Sequence, residues 1–219
     1  YITKHSAIMD KYDPDRKKWL VVDEWGTWYD PAPGTNPGFL QQQNSLRDAV
    51  VAGINLNIFA HHADRVKMAA IAQMVNVLQA MLLTDGAKMV RTPTYWVFDL
   101  YKPWQDATTL PLDVKSPYYH EDEFAMPAIS SSAVRDKAGK VHIALVNLDP
   151  NRSIPLSIDL EGVTASGASG RILTAAQMDA HNDFDQPDVV TPQPFTGAAI
   201  SGGRLGVTVP SKSVLVLDL

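Results

Sequence analysis

The sequence of 219 residues contains no cysteine. This absence excludes a disulfide framework, thiolate chemistry and metal sites built from cysteine. Basic residues are also few, since 19 Lys and Arg stand against 24 Asp and Glu and leave a formal net charge of −5. A surface that binds nucleic acid needs a basic excess to meet the phosphates, so the composition argues against that class of partner.

Long apolar runs and several common catalytic signatures are missing as well. No apolar stretch is long enough to cross a bilayer. The sequence has no phosphate-binding glycine loop, no Gly-x-Ser-x-Gly elbow and no His-Glu-x-x-His metal signature. It starts at Tyr1 without Met or a basic leader, and its first residues already have helical spacing. We therefore expect it to be part of a longer chain.

The first half of the sequence alternates helical and strand patterns. Apolar spacing over residues 2–12 predicts a helix, which Asp13-Pro14 ends because a residue before proline disfavours the α region. The unbroken apolar start of residues 19–24 predicts a strand buried on both faces, as in a parallel sheet covered by helices. After a loop rich in Pro and Gly comes a second helix, whose inward face combines Leu46, Ala49, Val50, Gly53, Ile54 and Asn57. Helix, strand, loop and helix form the unit of a β/α barrel or a doubly wound sheet.

Residues 66–83 fit two patterns. Their first half alternates as in a strand, whereas Ile71, Val75, Leu78 and Leu82 suit a helix, and periodicity alone leaves both open. A clearer signal is Thr92-Pro93, an N-cap threonine followed by proline at the first helical position. Three aromatic residues should face inward from the helix that begins there, namely Tyr95, Phe98 and Tyr101.

From about Met126 the pattern changes to short strands separated by glycines. Apolar runs, most of them alternating with polar residues, recur in four places, at 141–146, 154–160, 205–209 and 215–219. Regularly spaced short strands with turn signals predict a β-sandwich or jelly roll. Prolines interrupt the pattern between residues 105 and 125. We therefore divide the chain into an α/β part, residues 1–110, and an all-β part, residues 111–219.

Asp23 and Glu24 lie where the first predicted strand leaves the core, just ahead of Trp25, Trp28 and Tyr29. In β/α barrels the C-terminal strand ends hold the active site, so a carboxylate there is a catalytic candidate. Adjacent strand residues point to opposite faces, so only one of the two acids can face the centre. Aromatic rings beside a carboxylate suit sugars, whose CH faces pack on them. The alternative is a solvated acidic strand end, with the tryptophans packed under a loop.

Three further polar clusters carry weaker signals. His61-His62 with Asp64 has metal-ligand residue types, but neighbours on a helix diverge and no further ligand is apparent, so we interpret it as a polar helix end. The run from His120 to Glu123 follows a proline and fits a solvated loop. The run from His181 to Asp185 fits a surface loop, with a loop that reaches over another part of the molecule as the alternative.

An ordered series of segments is similar to one known family. It begins with residues 8–14 and with Asp23-Glu24-Trp25-Gly26-Thr27-Trp28-Tyr29, and it continues through the first half at 47–53, 57–59, 63–68, 71–79 and 92–95. Over the second half the similarity is thinner, with His181-Asn182-x-Phe184 as its best match. These segments resemble bacterial α-L-arabinofuranosidases of glycoside hydrolase family 51.

The resemblance implies a (β/α)8 TIM barrel followed by a jelly-roll β-sandwich, with the strand at Glu24 as the seventh and residues 66–73 as the eighth. By matching position, it implies that Glu24 is the nucleophile of a retaining glycosidase. Gln73 would then hydrogen-bond the arabinose ring, and Trp28 would be a platform near the leaving group. Family members carry the acid/base glutamate on the fourth strand, and no residue here matches it. The N-terminal half of the same enzyme would supply it, and no cofactor or metal is needed.

The leading hypothesis is release of terminal non-reducing α-L-arabinofuranosyl residues from arabinan, arabinoxylan and arabino-oligosaccharides. The alternatives are an endo-acting β-glucanase or xylanase of the same family, and a non-catalytic carbohydrate-binding β-sandwich. The alternation in the second half indicates core packing but no exposed aromatic strip, which disfavours the binding module. The resemblance further implies a cytoplasmic homo-oligomer, and nothing in the sequence indicates a nucleic acid or a membrane as partner.

Overall fold

The computed structural model describes residues 1–219 and is mixed in class, mostly β with few helices. Its three α-helices are α1 (Ile2–Tyr12), α2 (Leu46–His61) and α3 (Pro93–Leu100). Two short 3-10 helices lie at Pro37–Phe39 and Lys102–Trp104. None of the helices is both long and apolar enough to span a bilayer.

Fifteen strands follow the chain in five sheets. The strands of the first half are β1 (Leu20–Trp25), β2 (Val66–Ile71), β3 (Leu82–Asp85), β4 (Lys88–Arg91) and β5 (Thr108–Leu110). Those of the second half are β6 (Tyr118–Glu121), β7 (Phe124–Pro127), β8 (Ile129–Arg135), β9 (Val141–Asn147), β10 (Ile154–Asp159), β11 (Ser169–Leu173), β12 (Gln193–Phe195), β13 (Ala198–Ser201), β14 (Arg204–Val209) and β15 (Ser213–Asp218).

The first two predicted helices are confirmed. α1 ends at Tyr12, directly before Asp13-Pro14, and it buries no residue within this chain. α2 begins with a capping box, in which the Ser45 side chain and the Asp48 side chain each bond the backbone of the other. Its predicted inward face is buried except for Ile54, which is half-buried. A Cβ on Gly53 would lie 2.9 Å from Val146 of β9, so the absence of a side chain lets α2 approach the sheet closely.

The helix predicted from Thr92-Pro93 is also confirmed, because the Tyr95 N–H donates to the Thr92 hydroxyl. The inward face predicted for it is only partly right. Tyr101 is buried, but Tyr95 and Phe98 are half-buried, and the buried positions within α3 are Pro93, Thr94, Val97 and Leu100. α3 packs against α2 along the chain's first half.

β1 and β2 form a parallel pair in which Leu20 lies opposite Val66 and Trp25 opposite Ile71. The strand hypothesis for the start of residues 66–83 is therefore confirmed, and the helical alternative is wrong. The expectation that β1 is buried on both faces is wrong for this chain. Its residues are half-buried or exposed, because α2 and α3 cover one face of a sheet with only two strands.

The second half contains two larger antiparallel sheets. One has six strands in the order β12-β11-β15-β9-β8-β5, and the other has three in the order β10-β14-β13. An aliphatic core lies between the two sheets, and a second core fills the space between the six-stranded sheet and helices α2 and α3. The molecule is thus layered as helices, a six-stranded sheet and a three-stranded sheet.

The four strand predictions of the second half are confirmed by β9, β10, β14 and β15. The solvated loop predicted at His120 to Glu123 is only partly right: all four residues are exposed and the last two form a turn, but His120 and Glu121 end β6, which pairs with β7 as a hairpin. The division of the chain at residues 110 and 111 stays a prediction. Strand β5, at its edge, already pairs with β8 and joins the six-stranded sheet.

Candidate functional site

The C-terminal ends of β1 and β2 lie side by side. The Ala72 N–H donates to the Trp25 carbonyl at 2.8 Å, which extends the parallel pairing to the last residue of β1. Glu24 is the penultimate residue of β1, and Gln73 follows β2 through a cis peptide bond with Ala72. Because the carboxyl ends of parallel strands meet at one edge of a sheet, both polar side chains lie at that edge.

Glu24 and Trp28 are brought together at one cavity of about 270 Å³. Its other lining residues come from the end of β1, the loop after it and the segment after β2, namely Trp25, Gly26, Thr27, Ala72 and Leu78. Glu24 is exposed, and Trp28 is 68% exposed. Glu24 is the only carboxylic acid in this lining, and it stands beside an open aromatic ring that can pack against the face of a sugar.

Gln73 lines a different and larger cavity, of about 660 Å³. The two cavities are neighbours, because Leu78 of the smaller one donates its N–H to the carbonyl of Leu40, which lines the larger one, at 3.0 Å. Within this chain, therefore, Glu24 and Trp28 share one cavity, and Gln73 lies in the neighbouring one.

The loop after β1 is fixed by buried polar side chains. The Thr27 N–H donates to Gln79 Oε1 at 2.9 Å, and the Thr27 hydroxyl donates to Asp48 Oδ1 at 2.7 Å. Gln79 Nε2 in turn donates to the Asp48 carbonyl at 2.7 Å. Both Asp48 and Gln79 are fully buried. Gly26 has φ +147 and passes so close that a Cβ there would lie 3.2 Å from Gln79 Oε1, so only glycine fits this approach.

A second set of contacts holds the loop beyond Trp28. The Tyr29 N–H donates to Gln42 Oε1 at 2.9 Å, and Gln42 Nε2 donates to the Thr27 hydroxyl at 3.0 Å. The Arg47 guanidinium lies 3.8 Å from the centroid of the Tyr29 ring and 3.1 Å from Asp48 Oδ2. The backbone on both sides of Trp28 is thus anchored, while the Trp28 ring itself stays open to solvent.

Sequence reasoning missed this polar network. A local signal existed for Asp48, because Ser45-x-x-Asp48 before an apolar run is a capping-box pattern. No local signal pointed to Gln79, whose partner Thr27 lies 52 positions away.

The other polar clusters are held in different ways. His61 Nε2 lies 2.7 Å from the Ser131 carbonyl, and Asp64 pairs with Arg16, so the two side chains have separate partners. The segment from His181 to Asp185 is not simply a surface loop. Asn182 is fully buried and donates to the Arg91 carbonyl at 2.9 Å, and Phe184 lines the larger cavity. This supports the alternative of a loop that reaches over the first half of the chain.

Comparison with known proteins gives a consistent result. Residues 23–213 match the family described as "Alpha-L-arabinofuranosidase C-terminal domain". The chain is 47% identical over 219 residues to an intracellular exo-alpha-L-arabinofuranosidase of Bacteroides ovatus, covering 100% of the chain and 43% of that protein. It is 29% identical to an intracellular exo-alpha-(1->5)-L-arabinofuranosidase of Streptomyces lividans, covering 85% of the chain and 30% of that protein.

Solved structures agree with the sequence relatives. The family 51 arabinofuranosidase of Xanthomonas axonopodis pv. citri superposes with a TM-score of 0.98 at 58% identity, covering 100% of this chain and 44% of that one. An arabinose complex of the α-L-arabinofuranosidase of Thermotoga maritima superposes with a TM-score of 0.79 at 23% identity, over 96% of this chain and 44% of that one, and it shows the shared fold alone. The chain spans less than half the length of these relatives. It belongs to glycoside hydrolase family 51, in which it corresponds to the α-L-arabinofuranosidase C-terminal domain.

Proposed function

We propose that the protein carrying this chain is a retaining glycoside hydrolase. It releases terminal non-reducing α-L-arabinofuranosyl residues from arabinan, arabinoxylan and arabino-oligosaccharides. One observation carries the proposal: Glu24 lies exposed at the C-terminal end of a parallel strand, in the same cavity as the open ring of Trp28. The names of the relatives, which are exo-acting arabinofuranosidases, supply the substrate class.

The same proposal gives the architecture. β1 and β2 are the seventh and eighth strands of a (β/α)8 barrel, and residues 111–219 form a jelly-roll β-sandwich. Two facts support the barrel: the strands are parallel, and part of their surface is open, with Val21 43% and Met68 58% exposed. In a closed barrel, further strands and helices cover such surface. The N-terminal half of the enzyme would provide them.

In the proposed mechanism Glu24 is the nucleophile. Its ionised carboxylate attacks the anomeric carbon while a second carboxyl group protonates the departing glycosidic oxygen, which leaves a covalent arabinofuranosyl ester. The second group, now a base, takes a proton from water as the water oxygen attacks the anomeric carbon, which breaks the bond to Glu24, returns its carboxylate and frees arabinose. A retaining enzyme needs the two carboxyl groups roughly 5–5.5 Å apart. Because Glu24 is the only acid in its cavity, the N-terminal half must bring the second.

Trp28 and Gln73 would bind the substrate. The Trp28 ring packs against the sugar at the leaving-group side of Glu24, and Gln79 and Gln42 hold the backbone N–H groups of its two neighbours, Thr27 and Tyr29. The Gln73 amide both donates and accepts hydrogen bonds, which suits the hydroxyl groups of the arabinose ring. None of these roles requires a metal or an organic cofactor. We further propose that the enzyme is a homo-oligomer and that it is cytoplasmic. The names of two relatives call those proteins intracellular, which supports the compartment.

The test is nitrophenol release from an aryl α-L-arabinofuranoside by the full-length protein and by its Glu24→Ala variant. We expect the parent to be active and the variant to be inactive. Azide should restore turnover of the variant, because it can attack the anomeric carbon in place of the missing carboxylate and yield the β-arabinofuranosyl azide. Asp23→Ala is the matched control, since it removes the neighbouring carboxylate on the opposite face of β1. An inactive parent, or a Glu24→Ala variant as active as Asp23→Ala, would contradict the proposal.

A further inference from the structure

The larger cavity, called here the Phe39–Phe184 cavity, lies where four segments meet. They are the 3-10 helix at Pro37–Phe39, the segment after β2, the β3–β4 hairpin and the loop around residue 184. The volume of about 660 Å³ falls within the usual range for small-molecule sites. Its lining combines two phenyl rings with groups that can hydrogen-bond, namely Phe39, Phe184, Gln41, Gln73, Thr84 and Asp85.

Phe184 is presented by a loop of the second half that is fixed on both sides. Asn182 donates to the Arg91 carbonyl at 2.9 Å and accepts from the Val190 N–H at 2.7 Å. Asp183 Oδ1 accepts from the N–H groups of Asp185 and Gln186, which closes a tight backbone turn over residues 183–186. The loop therefore places Phe184 against the first half of the chain without relying on packing of the ring itself.

The opposite wall is fixed in the same way. The Thr84 N–H donates to Asn76 Oδ1 at 2.7 Å, and Asn76 Nδ2 donates to the Thr84 hydroxyl at 3.0 Å, which ties the segment after β2 to the hairpin. The Gly38 N–H donates to Asn36 Oδ1 at 3.0 Å and caps the 3-10 helix that carries Phe39. Phe39 is nevertheless 69% exposed. Within this chain the Phe39 ring therefore stays open to the cavity on an ordered backbone.

The position of this cavity relates it to the proposed reaction. Gln73, which the proposed function assigns to the terminal arabinose, lines this cavity, and the Leu78 N–H donates to the Leu40 carbonyl where it meets the cavity of Glu24, so a sugar bonded by Gln73 borders both spaces. An exo-acting enzyme takes the terminal unit at its nucleophile, so the rest of the chain can extend only towards the leaving-group side. The Phe39–Phe184 cavity is the larger space next to the nucleophile and has the aromatic and polar lining that sugars require.

We propose that the Phe39–Phe184 cavity is a subsite for leaving-group sugar units of arabino-oligosaccharides. Phe39 and Phe184 pack on the faces of those units, and Gln41 and Asp85 bond their hydroxyl groups. The β-sandwich thereby takes part in choosing the substrate through one loop. This inference rests on the proposed function, since it names how the same site holds a longer substrate.

The test compares a short and a long substrate in the full-length protein. The short one is an aryl α-L-arabinofuranoside, which carries no leaving-group sugar, and the long one is a linear arabinotetraose. Removing one ring, as Phe39→Ala or Phe184→Ala, should lower kcat/KM on arabinotetraose about tenfold and leave kcat/KM on the aryl substrate within about twofold. Phe184→Tyr keeps the ring and should restore most of the activity on arabinotetraose.

Phe124→Ala is the matched control. Phe124 is 71% exposed on the β6–β7 hairpin and does not line the cavity, so both substrates should keep their rates. Equal rates on arabinotetraose for the parent and for both alanine variants would overturn the subsite. Equal losses on both substrates would also overturn it, because the rings would then support the whole site. A parent inactive on the aryl substrate would instead contradict the proposed function itself.

Discussion

β1 and β9 are both rich in aliphatic residues, yet the structure treats them differently. All seven residues of β9 are buried, whereas no residue of β1 is. β9 lies inside a sheet that has the three-stranded sheet on one face and helices α2 and α3 on the other. β1 pairs only with β2, and the helices cover one of its faces. An apolar run thus predicts a strand, but its burial depends on elements far away in sequence.

The buried groups of the two regions also differ in kind. The core between the two large sheets is aliphatic, whereas the interior beneath the strand ends holds a cluster of polar side chains, including Gln42, Asn44, Asp48, Gln79 and Thr94. Burial of aliphatic side chains stabilises the fold but is non-directional, so it does not fix the position of any particular group. A satisfied polar network fixes a particular backbone path, here the loop that carries Trp28. We therefore expect stability to depend mainly on the two large sheets of the second half and activity on the ends of β1 and β2.

The largest expected effect separates these two properties at β1. Glu24→Gln should lower kcat on an aryl arabinofuranoside by more than about a thousandfold, because the amide cannot attack the anomeric carbon. The free energy of unfolding should hardly change, since Glu24 is exposed. Asp23→Asn makes the same chemical change one residue earlier and should keep most of the activity. Similar losses in both variants would show that charge at the strand end, rather than one nucleophile, supports the reaction.

The next effect is the reverse, a loss of stability in the core between the two large sheets. Leu215 is fully buried in β15, between β9 and β11. Leu215→Ala should lower the free energy of unfolding of the 219-residue chain by about 3 kcal/mol, from lost burial plus the cavity left behind. Val21→Ala in β1 should cost less than about 1 kcal/mol in the same chain, because Val21 is 43% exposed. Urea unfolding at neutral pH measures both.

The same pair of variants tests the barrel proposal. In the full-length protein the N-terminal half would cover β1, so Val21→Ala should cost more there than in the 219-residue chain. An unchanged cost would mean that no further element packs on this face of β1.

Sequence patterns predicted those parts of the fold that depend on near neighbours. The strands predicted at 141–146 and 205–209 were correct. The unbroken apolar run of the first reflects burial on both faces of its sheet, and the alternation of the second reflects burial on one face. The prediction that β1 is buried on both faces was wrong, because the hydrophobicity of a strand does not show whether other elements pack on each of its faces. The hairpin around Glu121 was missed because its charged turn resembles a solvated loop, and cross-strand pairing leaves no local mark there.

The site divides along the same line. The composition around Glu24 and the family motif identified the candidate acid and Trp28, and the structure places both at one cavity. The contacts that fix the loop of Trp28 could not be predicted from local sequence, since Gln79 and Asp48 bond Thr27 from 52 and 21 positions away. Phe184 was considered only within a loop, because its role depends on how the two halves of the chain pack.

A smaller effect tests whether the polar network joins stability to activity. Gln79→Leu removes the acceptor of the Thr27 N–H and the donor to the Asp48 carbonyl, both in the interior. It should lower the free energy of unfolding by about 2 kcal/mol, because buried polar groups lose their partners. It should also lower kcat about tenfold, since a shift of about 1 Å in the loop after β1 would misplace the Trp28 ring. Gln193→Leu, an exposed change in β12, is the control and should alter neither quantity.

The smallest effect concerns pH and a buried carboxyl group in the second half of the chain. Asp149 is 2% exposed, and although burial raises its pKa, the N–H of Asn151 and the contacts with Arg152 outweigh burial and hold the pKa below its ordinary value. Because the pKa is lower in the folded protein, ionised Asp149 stabilises the fold above about pH 4, the value for an unfolded chain. That contribution is lost as the pH falls through the lowered pKa.

Asp149→Asn should therefore reduce the free energy of unfolding at pH 7 by about 1 kcal/mol, and the difference from the parent should shrink as the solution becomes acidic. Urea unfolding over a pH series measures this. Glu123→Gln removes one exposed carboxylate from the hairpin turn and serves as the control, with no pH-dependent difference expected. A difference for Asp149→Asn that stays constant down to low pH would assign its effect to packing, and the electrostatic part of the argument would be wrong. Activity should follow stability in this variant at every pH, because Asp149 lies outside both cavities at the strand ends.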